Sequence, residues 1–144
     1  MEGFTAVQAA RLTGVPYARL DYWARTGFLR PTIAQSRGRG HARLYSFRDL
    51  VALKTAMELR KLGVSLQALR RVVRYLRKLK GLEHPLAQAR LVVVGNDVAL
   101  VEDEQQLVSM LKAPGQAVWR LILDLPALVA ELRREVDRLG RTAA

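Results

Sequence analysis

Between residues 22 and 48 the chain carries six arginines and no acidic residue. The densest part, SRGRGHARLYSF, places Arg37, Arg39 and Arg43 around two glycines and His41. A guanidinium group stays charged and presents a rigid fork of donors that matches phosphate and carboxylate oxygens. Because this span contains no counter-charge of its own, we expect a negatively charged partner outside the chain to neutralise it.

The positive charge is concentrated in the first part of the chain. Of the net charge of +11, residues 1–81 contribute +13, with 17 Lys/Arg against 4 acidic residues, and residues 82–144 contribute −2, with 7 against 9. Eight of the nine aromatic residues also precede Gly81. Such an excess attracts polyanions, either nucleic acid or anionic lipid. A merely solvated arginine-rich surface would usually mix both signs in ion pairs.

The composition argues against catalysis and metal binding. The chain has no cysteine, its two histidines are His41 and His84, and its carboxylates form no defensible acid–base pair. The acidic cluster at residues 102–104 is explained by the positive end of a helix dipole. The GRG sequence lacks the strand-to-helix setting of a phosphate loop. We therefore predict no catalytic residue, no metal site and no cofactor, and a protein that is not an enzyme.

The sequence also gives no sign of a membrane partner. No apolar run approaches the roughly 18 residues needed to cross a bilayer. The opening residues, MEGFTAVQ, lack the basic start and apolar core of a secretory signal. Together with the lack of cysteine, this predicts a cytoplasmic protein.

The elements that must position the arginines begin with two short helices. Thr5 and Gln8 form a capping box, which predicts a helix from about Ala6 that Gly14 ends. Pro16 suits the first turn of a second helix, PYARLDYWART, which ends by Gly27. Its Leu20 and Trp23 share one apolar face and are expected in the core. Two short helices joined by a tight, glycine-containing turn are a helix-turn-helix.

A hairpin is predicted next, followed by two longer helices. Pro31 and the glycines of the arginine-rich stretch prevent a helix, so residues 32–34 and 42–45 are expected to form strands around a tip at residues 36–41. A capping box at Ser46 and Asp49 starts one helix, and Ser65 caps another that Gly81 ends. The second helix has an apolar stripe on one face, and we expect its cationic face, residues 70–78, to be solvated.

Residues 82–144 differ in character. ARLVVVGNDVALVEDE predicts two strands around a turn, DEQQLVSMLK a short helix, and AVWRLILDL another strand. A final helix should run from Pro126 to about residue 139. Its apolar residues follow a 4-3-4-3 spacing, typical of a coiled-coil seam of about two heptads, which either dimerises the protein or covers its own sheet. The seam residues are Leu125, Val129, Leu132, Val136 and Leu139.

Four linked segments of residues 4–79 resemble the MerR family of winged helix-turn-helix transcription regulators. They are FTAVQAARLTGV, RLDYWARTGFLRP, RLYSFRDL and LRKLGVSLQALR, in an order and spacing that fit the family. LDYWARTG and the strand-rich tail are most similar to an actinobacterial-type subgroup with a small mixed domain. The resemblance implies a mainly α fold: residues 1–81 as a winged helix-turn-helix of MerR type with two following helices, and residues 82–144 as a small α+β domain for dimerisation, effector or partner binding.

The resemblance further implies a homodimer that binds double-stranded DNA at an inverted-repeat operator. It places the second helix in the major groove and the wing along the backbone. Asp21 stands where many relatives carry a basic residue, so we expect it to orient Arg25 one helical turn away. The implied DNA contacts are Tyr17, Arg19, Tyr22 and Arg25 on the helix, and Arg37, Arg39, His41, Arg43 and Tyr45 on the wing.

Elementary chemistry assigns roles within that set. Arg19 is the best base reader, because its fork can pair with a guanine edge. Gln8, Arg25 and the wing arginines are better placed for phosphates, which set position and affinity more than sequence preference. Tyr22 can either pack or donate to a phosphate, and His41 alone in a loop is ordinarily solvated. For the wing arginines, DNA is favoured over solvation.

Two alternatives differ from a plain regulator. An antitoxin-like interaction protein would bind a protein partner through residues 82–144 and use DNA only for autoregulation. An RNA-binding protein would also need positive charge, but single-strand readers expose aromatic residues on a sheet or groove. Here most aromatic residues fall at helix positions that packing uses.

Overall fold

A computed structural model describes residues 3–34, 43–81, 85–88, 91–94, 97–100, 119–122 and 125–142. The fold is mainly helical, with a two-stranded and a three-stranded antiparallel sheet. In chain order the elements are β1 (Phe4–Thr5), α1 (Ala6–Thr13), α2 (Tyr17–Arg25), β2 (Leu44–Tyr45), α3 (Phe47–Lys61), α4 (Leu66–Lys80), α5 (Pro85–Gln88), β3 (Leu91–Val94), β4 (Asp97–Leu100), β5 (Trp119–Ile122) and α6 (Leu125–Thr142). No helix in the described ranges is long and apolar enough to cross a membrane.

The helix-turn-helix begins as its sequence predicts. The Thr5 hydroxyl accepts a hydrogen bond from Gln8 N, and the Gln8 side chain accepts one from Thr5 N, which completes the capping box. Gly14 ends α1 with a φ of 78°, a left-handed conformation that favours glycine. The buried Thr13 hydroxyl stabilises the turn after α1, because it donates to Ala9 O at 2.7 Å and accepts from Val15 N. The sequence analysis does not predict these two hydrogen bonds.

The wing differs from the predicted hairpin at its base. The return strand, β2, pairs with β1, in the register Phe4↔Tyr45 and Thr5↔Leu44. The strand predicted at residues 32–34 is reduced to one bridge, between Ala34 and Leu44. The strand that contains Leu44 therefore has a neighbour on each edge: β1 on one side and Ala34 on the other. The predicted tip at residues 36–41 lies outside the described residues.

A buried carboxylate joins the start of the wing to α3. Asp49 Oδ2 accepts from Thr32 N at 2.8 Å, from the Thr32 hydroxyl at 2.7 Å and from Ser46 N at 2.8 Å. The Ser46 hydroxyl accepts from Asp49 N, so the predicted capping box is confirmed. Because Asp49 is only 4% exposed, these bonds satisfy donors that water cannot easily reach.

One hydrophobic core spans both parts of the chain. Trp23, Tyr45, Leu50 and Leu69 lie in the same cluster of buried residues as Leu86, Leu91, Leu128, Leu132 and Val136. Helix α5 packs against α3 and α4, and β4 packs against α4. The predicted boundary at residue 81, where Gly81 ends α4, therefore falls within a continuous core.

Helix α6 corrects the prediction of a dimer seam. Leu132 is 1% exposed and Val136 is 7% exposed, and α6 packs against α1 and α3 of the same chain. Val129 and Leu139 are partly buried against the same core, whereas the side chain of Leu125 lies outside what the structure describes. The 4-3-4-3 spacing thus reflects packing within the chain, which includes contacts with α1 and α3. Arg133 adds a cation–π contact, 3.7 Å from the centre of the Phe47 ring.

The small sheet of the tail has the order β4-β3-β5. The two strands predicted before and after residues 95–96 are confirmed as β3 and β4, and the strand predicted around Trp119 is confirmed as β5. Residues 95 and 96, at the predicted turn, lie outside the described residues. The short helix predicted in DEQQLVSMLK lies outside the described residues. Helix α6 begins at Leu125 and ends at Thr142, somewhat beyond the predicted end.

Substitutions at two buried residues, Asp49 and Thr55, should change the free energy of unfolding in opposite directions. We expect Asp49→Ala to lower the free energy of unfolding by about 2–4 kcal/mol, because two backbone donors at the wing and the α3 cap lose their acceptor. Thr55→Val is the contrasting change, since the buried Thr55 hydroxyl has no hydrogen-bond partner; we expect a gain of about 1 kcal/mol. Urea unfolding followed by circular dichroism measures both. A loss below about 1 kcal/mol for Asp49→Ala would contradict the role given to this carboxylate.

Candidate nucleic-acid interface

Helix α2 has one buried face and one exposed face. Leu20, Trp23 and Ala24 are buried, as their spacing predicts, and the Trp23 ring meets Phe28 edge-on at 5.2 Å. The other face is exposed: Tyr17 is 55% exposed and Tyr22 is 47% exposed, and Arg19 and Arg25 are exposed too. Four of the predicted contact residues therefore lie together on the free surface of one short helix.

Arg19 lies at the edge of this surface that faces α3. One terminal nitrogen of its guanidinium is 3.9 Å from the Met57 sulfur. A thioether is a weak acceptor, so this contact orients the guanidinium without satisfying it. Arg19 keeps the donors that recognition of a base edge would need.

Asp21 links the second helix to the wing. Its Oδ2 accepts from Arg25 Nε at 2.8 Å, which confirms that Asp21 orients Arg25 one turn along the helix. Its Oδ1 accepts from an Arg43 terminal nitrogen, also at 2.8 Å. The hydrogen bond from Arg43 and then that from Arg25 hold the pKa of Asp21 below its ordinary value. At neutral pH the carboxylate is therefore ionised and shared by two cations.

Arg43 has a different role from the one expected on the wing. Its side chain is only 15% exposed, and its charge is matched by Asp21 from the helix, 22 positions earlier. Arg25, by contrast, is 62% exposed and offers Asp21 only its Nε, so that its terminal nitrogens face outward. Arg43 fixes the base of the wing to α2, while Arg25 remains available to a partner.

The prediction that Tyr45 contacts DNA is wrong in this structure. Tyr45 is 0% exposed, lies in the core and pairs with Phe4 across the two-stranded sheet. Its hydroxyl has no hydrogen-bond partner, and burial raises the pKa of this phenol. The alternation of the wing strand places Tyr45 on the inner face, where no duplex can reach it.

Of the four remaining residues that are predicted to contact DNA, the structure describes only Gln8. Gln8 is half-buried, and its amide oxygen is used by the cap of α1, which leaves the amide nitrogen as a donor. Arg37, Arg39 and His41 lie outside the described residues. Within the described ranges, no three His, Cys, Asp or Glu residues come together as a metal site would require.

The cationic face of α4, which the sequence predicts to be solvated, lies beside the end of α2. A terminal nitrogen of Arg70 donates to the Thr26 hydroxyl at 2.9 Å, and the guanidinium lies 5.5 Å from the centre of the Phe28 ring. Residues 26 and 28 directly follow the exposed helix, so α4 borders the candidate interface. The sequence shows that α4 has a cationic face, but it does not show which element of the fold this face adjoins.

Comparison with known proteins gives the same assignment as this geometry. A family model described as MerR HTH family regulatory protein matches residues 4–89. The chain is also 33% identical, over 147 aligned residues, to uncharacterized HTH-type transcriptional regulators of Mycobacterium bovis and Mycobacterium tuberculosis. The alignment covers 99% of this chain and 64% of each relative, so the chain spans somewhat less than two thirds of their length.

The family match takes in the helix-turn-helix, the base of the wing, α3, α4 and α5, and it covers more than half of the chain. The resemblance seen in the four sequence segments is thereby confirmed: the chain belongs to the MerR HTH family of regulatory proteins.

Proposed function

We propose that the protein is a transcription regulator that binds double-stranded DNA sequence-specifically, as a homodimer on an inverted-repeat operator. The observation that carries this proposal is the exposed face of α2, which presents Tyr17, Arg19, Tyr22 and Arg25 together. The only acidic residue of α2 is Asp21, and its charge is matched by arginines. A helix of 9 residues is about 14 Å long, which suits a major groove about 12 Å wide.

The contacts divide by chemistry. Arg19 reads a base edge, because its guanidinium is exposed and its thioether contact is easily exchanged for a guanine. Arg25, held through its Nε, directs its terminal nitrogens to a phosphate, and the hydroxyls of Tyr17 and Tyr22 donate to neighbouring phosphates. The wing residues Arg37, Arg39 and His41 complete the set along the backbone, and the Gln8 amide nitrogen adds a contact at the start of α1.

The salt bridge between Asp21 and Arg43 supports this division. It fixes the returning strand of the wing to the recognition helix at 2.8 Å. Two DNA-contacting elements held in one geometry before binding lose less conformational freedom when the complex forms. Asp21 thus acts as a positioning residue, although its own charge is unfavourable next to phosphate.

The proposed operator requires a dimer and also implies the cellular compartment in which the protein acts. A two-fold symmetric site presents two half-sites one helical turn apart, about 34–36 Å, and needs two copies of the recognition helix. Because the apolar face of α6 lies in the core of its own chain, the contact between copies uses another surface, which we assign to residues 82–144. Such a regulator works on the bacterial chromosome, hence in the cytoplasm.

Substitutions on the helix and on the wing should have different effects on DNA binding. An operator is first obtained by selecting genomic fragments that the purified protein retains. Arg19→Ala should then reduce the preference for operator over random duplex by about 1–3 kcal/mol. Arg39→Ala should weaken both duplexes alike and reduce the log–log salt slope by about 0.9. Fluorescence anisotropy over a range of salt concentrations measures both quantities.

Arg134→Ala is the matched control, because it removes the same charge from the exposed surface of α6. It should leave preference and slope nearly unchanged. Selection that recovers only unrelated sequences would contradict the proposed function. Identical behaviour of Arg19→Ala and Arg39→Ala would contradict the division of roles while leaving DNA binding itself intact.

The Asp21 carboxylate predicts an acid transition at the junction of wing and helix. Its folded pKa lies below the ordinary value of 3.8, so its ion pairs are fully present above that pH and are lost as the pH falls through the folded pKa. Carboxyl-detected NMR should show Asp21 titrating below 3.8, and Arg43→Ala should raise the midpoint more than Arg25→Ala, because the Arg43 hydrogen bond contributes most. A midpoint at or above 3.8 in the unmodified protein would be inconsistent with the shared carboxylate.

A further inference from the structure

Two adjoining cavities lie between α4 and the segment that follows α2. The first has a volume of about 330 Å³ and is bordered by Arg30, Thr32, Tyr45 and Asp49. The second has a volume of about 370 Å³ and is bordered by Phe28 and by the cationic face of α4. Gly27 and Arg77 line both, so the two cavities adjoin, and we call the pair the α4 groove. Each cavity is in the range of sites for small organic molecules.

The α4 groove is strongly positive. Its cations come from two elements: one from the segment after α2 and four from α4. Among the described residues none of them forms an ion pair, so their charge is not matched within that part of the chain. Several guanidinium groups converging on one cavity are the arrangement that recognises phosphate. These cations are Arg30, Arg70, Arg74, Arg77 and Lys78.

The one carboxylate that borders the groove in the described part of the chain lies at the first cavity. Asp49 is only 4% exposed, and its Oδ2 accepts three hydrogen bonds from Thr32 and Ser46. These donors are neutral, so the negative charge remains and offsets part of the positive charge at this cavity. The second cavity is lined by cations, Val73 and the residues after α2. The anionic part of an occupant therefore belongs in the second cavity.

The first cavity has a different chemistry. Leu29, Ala52 and Leu53 give it an apolar floor, and Tyr45 borders it with a fully buried hydroxyl that has no hydrogen-bond partner. That hydroxyl is not accessible from the cavity, so the polar groups that an occupant meets there are those of Arg30, Thr32 and Asp49. Apolar side chains together with such polar groups suit a flat organic body that carries a hydrogen-bonding edge.

We propose that the α4 groove binds a small organic molecule with two or more phosphate groups, of the nucleotide type, with its phosphates against Arg74, Arg77 and Lys78 and its body in the first cavity, beside Leu29 and Leu53. A concave site of this volume favours a small molecule over a duplex, whose phosphates follow a convex surface. The proposal goes beyond DNA binding and does not depend on it.

Isothermal titration of the full chain at low salt tests the α4 groove, with ATP, inorganic tripolyphosphate and adenosine as probes and without divalent cations. ATP should bind with one site per chain, tripolyphosphate more weakly, and adenosine without measurable heat. Arg77→Ala should weaken ATP binding about tenfold or more, because this residue lines both cavities. Arg71→Ala is the matched control: Arg71 is exposed on the same helix but borders neither cavity, and its loss should change affinity less than about twofold.

Tyr45→Phe is a second control, because the Tyr45 hydroxyl is fully buried and has no partner. Its removal should leave the melting temperature unchanged or raised and should leave ATP affinity within about twofold of the unmodified protein. If Arg77→Ala does not fold, Arg74→Gln replaces it, since Arg74 is exposed and borders the second cavity.

Several results would overturn the proposal. They are the absence of heat with both ATP and tripolyphosphate, equal losses for Arg71→Ala and Arg77→Ala, and adenosine or tripolyphosphate binding as tightly as ATP. Displacement of ATP by a short random duplex, with Arg77→Ala weakening the duplex as much as ATP, would instead identify the groove as a contact for the DNA backbone.

Discussion

The wing is held near both of its ends by a carboxylate, and the positions of these few acids determine which cations remain available to a partner. Asp49 binds Thr32 at the start of the wing, and Asp21 binds Arg43 where the wing returns. Glu58, the third acid that the structure describes before Gly81, pairs with lysines of its own helix. In the described part of the chain, none of these carboxylates forms an ion pair with Arg19 or with the α4 cations that line the groove. Two of the three acids therefore hold the wing in place, while these cations keep their charge available to a partner.

Local features of the structure could be predicted from the sequence, because they depend on neighbouring residues. The capping boxes at Thr5 and Ser46 each join residues three positions apart, and Gly14 and Gly81 adopt the left-handed conformation that ends a helix. The buried face of α2 follows from helical periodicity alone. The family assignment rests on the same local patterns, repeated in four segments at fitting intervals.

The predictions that failed depend on contacts between residues far apart in the chain. Arg43 looks like any other wing arginine until the fold brings it to Asp21, and Tyr45 is buried because β1, about forty residues earlier, takes the edge of its strand. The apolar residues of α6 have the spacing of a coiled coil, but this spacing does not show whether the helix they pack against belongs to the same chain. Here the helices are α1 and α3 of the same chain, and so residues 82–144 contribute to the core that supports α2.

This shared core gives the α4 groove a direct physical connection to α2. Gly27 has a φ of 79° and lies where α2 has just ended, and an Arg30 terminal nitrogen is only 3.0 Å from the place that a Cβ on Gly27 would occupy. Arg70 contacts the same corner through a hydrogen bond to Thr26. The proposed occupant of the groove would therefore lie against the residues that directly follow α2, the helix whose exposed face carries Arg19 and Arg25.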